Sequence, residues 1–171
     1  MEQTNFIARI LQLLCRALSI VYFSIFVYSL FCLVTGLWIS AYGEGRFLHI
    51  SYPFTETTFL NVDNSLAYLI FSFLLILFGY AAFFYLAGRV FRAFMQSRIF
   101  TPANIKTMRH FYLFNIFLPL PAVLIASFFV EVEGVIWILV GIHFILGIFS
   151  LFLANIFRQG VNLQNDQDLI I

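Results

Sequence analysis

Three histidines and two cysteines are the side chains best suited to metal or redox chemistry in this sequence, and their spacing argues against both. His143 lies in the middle of a long apolar run, His110 at the edge of another, and His49 in a polar connection. A bis-histidine haem site needs two ligands at one depth, and no pair of these provides them. Cys15 and Cys32 share one apolar segment at a spacing that suits neither a metal motif nor a disulfide framework, so they read as small packing residues. Every acidic residue falls outside the apolar runs, which removes the paired carboxylates that intramembrane proteolysis or ion coupling would use. No phosphate-binding glycine loop or nucleophile elbow is found either. The expectation is a non-enzymatic protein with no catalytic, cofactor-binding or metal-ligating residues.

Two candidate sites remain. The first is intramembrane: an ionisable group in hydrocarbon marks a functional site by default, which singles out His143. Its bland reading is a neutral imidazole hydrogen-bonded to a neighbouring helix, with Asn115, Ser72 or a tyrosine hydroxyl as partner. Asn155 reads in the same way. The second candidate is a basic stretch, Arg89, Arg92, Arg98, Lys106 and Arg109, which with Asp166 and Asp168 of the tail would form a surface for a soluble partner. Its bland reading is that these bases set topology and attract anionic lipid.

The elements that hold these residues follow from composition. Hydrophobic residues make up 63% of the chain and charged residues 10%, where soluble domains carry about 25% charged. The 24 phenylalanines and eight tyrosines would leave large apolar patches in water. Four uncharged runs reach the length of about 20 residues that crosses a bilayer as a helix. They give an all-α integral membrane protein with spans at about 17–39, 65–88, 111–130 and 135–157. The first run is too long for the core of a signal peptide, so it is expected to stay attached. With the N-terminus inside, Arg46 is the only one of nine Lys and Arg residues that falls outside, so both termini are expected in the cytoplasm of a bacterial inner membrane. A net charge of +1 gives no reason to expect direct nucleic-acid binding.

The connections carry finer expectations. Asn5–Arg16 reads as an interfacial helical approach to the first span. In the outer loop, residues 40–64, strand-like stretches at Arg46–Tyr52 and Thr57–Val62 flank Pro53–Glu56, which predicts a short β-hairpin. Glu131–Gly134 reads as a tight turn that makes the last two spans antiparallel neighbours. In the cytoplasmic loop, residues 89–110, the second helix should run on through Met95 and break near Ser97. Thr101 should then cap a new helix opened by Pro102. Pro119 and Pro121 should bend the third span. Gly160 reads as the closing residue of the fourth helix, followed by a tail, residues 158–171, that folds back on the inner loop.

The segments SRIFTPANIKTMRHFYLF (97–114) and IFRQGVNLQNDQDLII (156–171) resemble the bacterial membrane family known as domain of unknown function 2975, the YoaS-like proteins. Phe100, Asn104, Arg109, Phe157, Arg158, Gly160, Leu163 and Asp168 carry the resemblance, which extends over nearly the whole chain and the same four spans. It implies a membrane partner that holds or modulates a small Cro/C1-type helix-turn-helix transcription regulator, and it brings no catalytic residues. Beside it stands a receptor or immunity-type protein that binds a lipid, peptide or small amphiphile between helices. A small transporter ranks third, since only one span is interrupted by proline. Assembly into a homo-oligomer stays open.

Overall fold

A segment free of proline and glycine gives a helix no reason to stop. α1 accordingly runs unbroken over Glu2–Thr35 in the computed structural model, which describes the backbone of residues 2–168 and the side chains of residues 5–166. The helical approach expected at Asn5–Arg16 is the first part of this helix, which carries it on into the span.

Beyond α1 the chain forms three antiparallel strands, β1 (Ile39–Tyr42), β2 (Phe47–Ser51) and β3 (Thr58–Asp63), in the order β1-β2-β3. The hairpin expected from two strands is a three-stranded sheet, with Ile39 opposite Ile50 and Tyr42 opposite Phe47. β1 escapes sequence reading because it follows the first apolar run directly and looks like its end. Leu48, Ile50 and Val62 are buried with Cys32 of α1, and Trp38, Leu60 and Tyr68 close around them. The Tyr28 hydroxyl donates to the Ser51 carbonyl and ties α1 to the sheet.

The second span opens as a π-helix over Tyr68–Leu74 and continues as α2 (Leu75–Ala93). The Leu75 N–H bonds to the Ile70 carbonyl, five residues back, as the wider π turn requires. α2 ends at Ala93, so Phe94 and Met95, expected within the helix, instead turn on bonds to Phe91 and Arg92. Thr101 takes an extended conformation, accepts the Asn104 N–H and starts α3 (Pro102–Phe117). At the prolines, where a bend is expected, the third span is divided at Leu118 into α3 and α4 (Pro119–Ala126). Residues 127–133 then connect to α5 (Gly134–Asp168), a longer crossing than the tight turn expected at Glu131–Gly134.

Helical segments Asn5–Thr35, Tyr68–Ala93, Pro102–Ala126 and Gly134–Asp166 are each long and apolar enough to cross a membrane. α1 packs along α2, and α3 lies against both α2 and α5. Small residues let the backbones approach, as is usual where helices meet in lipid. A Cβ added at Gly147 of α5 would lie 2.5 Å from the Ile116 side chain and 3.3 Å from its backbone nitrogen. The core at the end opposite the sheet, called here the loop end, combines Cys15, Ala87, Val90, Met108, Phe111, Ala154 and Phe157.

Candidate functional site

Pro119 and Pro121 have no N–H to offer the Asn115 and Phe117 carbonyls, so the third span is interrupted at Leu118 and resumes as α4. α3 lies closely along α5, whereas α4 touches α5 and the π segment only lightly. The sheet-end halves of the last three spans therefore stand apart. Between them is a cleft of about 680 Å³, walled by the π segment, α2, α4 and α5. Apolar side chains such as Leu75, Val123, Ile136, Leu139 and Val140 form most of its surface.

The floor of the cleft is polar. His143 reaches it from α5, and its Nδ1 lies 2.7 Å from Oδ1 of the fully buried Asn115. The Asn115 amide nitrogen donates to the Phe111 carbonyl at 2.8 Å, which leaves Oδ1 to accept and makes His143 Nδ1 the donor. Nε2 then carries the ring's lone pair. Phe83 stands edge-on to the imidazole at 4.9 Å between centroids, and Tyr80 packs beside it at 6.1 Å. Ser72 lines the same cleft from the π segment without sharing the His143 bond. The site can hold a hydrogen-bonding group beside His143. Among the described residues, no group of three or more His, Cys, Asp or Glu is placed to hold a metal.

At the mouth stand Asp63 from the end of β3 and Glu131 and Glu133 from the connection before α5, all exposed. Phe71 of the π segment, which lines the cleft, stacks on Phe129 at 5.1 Å and 7°. These mouth residues were missed in the sequence because nothing local relates Asp63 to Glu131. Pro119 and Pro121 were the available signal that a span opens here.

The basic candidates lie at the loop end. Arg89, Arg92, Arg98, Lys106 and Arg109 are all exposed around an ordered connection. Asn104 is buried, and its amide nitrogen donates to the Ile99 carbonyl and to Gln96 Oε1. Phe100 meets Phe157 at 5.5 Å, and a Cβ at Gly160 would lie 2.5 Å from the Phe100 ring. Gly160 thus does not end the fourth helix, because α5 continues to Asp168, and its missing side chain makes room for Phe100 instead. The tail does not fold back over the described residues: it stays helical, with Leu163 and Asp166 exposed. The Asp168 side chain and residues 169–171 lie outside the described residues.

Four apolar helices, a sheet over one end and an ordered connection at the other define a multi-pass helical membrane protein. The chain belongs to the family described as protein of unknown function (DUF2975), whose model matches residues 47–171. The match starts at β2, so the first span lies outside it. No curated protein and no solved structure matches the chain. Of the residues that carry the family resemblance, Phe100, Asn104, Phe157 and Gly160 meet in the loop-end packing, while Arg109, Arg158 and Leu163 remain exposed.

Proposed function

We propose that the chain is a non-enzymatic receptor of the bacterial inner membrane, with both termini cytoplasmic and the sheet outside, that takes the apolar part of an amphiphile into its cleft. The observation that carries this reading is the cleft: about 680 Å³ of mostly apolar space, with His143, held by the buried Asn115, among its lining residues. Ligand pockets commonly measure about 300–1,000 Å³ and combine apolar walls with a few placed polar groups. The orientation rests on the basic residues, of which only Arg46 belongs to the sheet end. A photoreactive neutral alkyl probe in nanodiscs tests the reading. It should label residues around Tyr80 and Val140, and Gly79→Phe should suppress that labelling. Gly79 lines the cleft, and a Cβ there meets nothing within 4 Å, so the added ring has space to enter. Unchanged labelling of the blocked variant would contradict the proposal.

A second reading, a membrane partner that anchors or modulates a small helix-turn-helix regulator, is favoured by the loop end. Its connection is fixed by buried side chains, yet it leaves five basic residues and the last turns of α5 exposed. The two readings are compatible, since ligand and partner would occupy opposite ends of the bundle. Removal of residues 161–171 should spare insertion and weaken capture of a regulator encoded beside the protein. Equal capture with and without the tail would sink the tail's part in it.

A further inference from the structure

An apolar chain gains little by leaving lipid for an apolar cleft, because lipid tails are equally apolar. Selectivity must therefore come from shape and from the polar groups at the two ends of the space. We infer that the cleft selects a single-chain amphiphile with a cationic, ammonium-type head, whose chain lies between the π segment, α4 and α5 and whose head meets Asp63, Glu131 and Glu133. This rests on the cleft reading above and adds the chemistry of the head.

Three observations support it. Asp63 closes β3 and the two glutamates precede α5, so carboxylates from separate parts of the chain line one mouth, while among the described residues no Lys or Arg lines the cleft. Each carboxylate is exposed and would contribute little alone, but like charges around a low-dielectric cavity focus the field at its opening. Glu133 also has a structural role, since its carbonyl accepts the Ile136 N–H that opens α5 and its charge suits a helix N-terminus. That role leaves Asp63 unexplained. Second, Tyr68 and Phe71 line the same space, Phe71 with one face covered by Phe129, and aromatic rings attract ammonium groups. Third, the depth suits a chain of moderate length: Gly134 to His143 spans nine residues of α5, about 14 Å at 1.5 Å per residue. His143 then supplies a polar group deep in the apolar space. An anionic head would meet three like charges at the mouth.

The test uses full-length protein in phosphatidylcholine nanodiscs, labelled by the neutral alkyl probe and challenged with dodecyltrimethylammonium or dodecyl sulfate. The ammonium compound should displace the probe at a concentration about tenfold lower than the sulfate, the scale expected of a few exposed charge contacts. Asp63→Asn combined with Glu131→Gln and Glu133→Gln should abolish that difference and leave labelling by the neutral probe intact. All three positions are exposed, so the triple variant leaves the packed interior unchanged. Equal displacement by both compounds, or a preference that survives the triple variant, overturns the cationic head and leaves the cleft reading standing. Failure of the neutral probe to label the cleft at all overturns both.

Discussion

His143 and Asn115 satisfy each other at 2.7 Å in the interior of the bundle, which makes His143→Leu informative. The change removes a polar group from hydrocarbon, so insertion should be unaffected. Asn115 would keep its bond to Phe111 and lose the one to His143, at a cost of no more than about 1–2 kcal/mol in unfolding titrations. A much larger loss would give His143 a structural role beyond this bond. The pairing was legible to the extent that polar groups deep in apolar runs must find partners, and Asn115 stood among the few in reach. Ser72 was not separable from it, because a π turn shifts the helical register by an amount the sequence does not announce. Gly160 was misread for a different reason: a glycine after an apolar run looks like a helix stop, whereas its function here depends on Phe100, sixty positions away in the sequence. Gly160→Val should therefore lower thermal stability by about 1–3 kcal/mol through overpacking, and Gly147→Val by more, since the Ile116 backbone cannot rotate aside as a ring can.

At the scale of elements, local chemistry dictates the boundaries that were read correctly. Thr101 before Pro102 is a complete helix-start signal, and Thr101→Ala should cost about 1 kcal/mol and speed hydrogen exchange at Asn104 and Ile105. The same exchange rate in both proteins would deny the cap its role. Pro119 and Pro121 announced the bend but not its consequence, since the cleft depends on how α4, α5 and the π segment stand relative to one another. Pro119→Ala with Pro121→Ala should restore backbone donors, straighten the third span and reduce alkyl labelling. Retained labelling would show that the bend does not shape the cleft. β1 was hidden by continuity with the first apolar run, and the length of α5 by the apparent stop at Gly160.

Across the whole molecule, composition and run length were enough to give four membrane-spanning helices, because no soluble fold accommodates so many aromatic side chains with so few charges. Apart from the pairing of the last two spans and the His143–Asn115 bond, contacts between distant segments were not legible, and the mouth of the cleft is made of such contacts. The orientation proposed from the basic residues has its own test: a reporter fused after Ile171 should be active only as a cytoplasmic fusion, and one inserted near Thr55 only as an external one. An externally active C-terminal fusion would reverse the ends assigned to ligand and partner. The receptor reading itself is tested most directly by native mass spectrometry of the protein released from nanodiscs with one equivalent of the neutral alkyl probe. The wild type should carry a single bound copy and Gly79→Phe none; equal occupancy in both would contradict the proposal that the cleft is the ligand site.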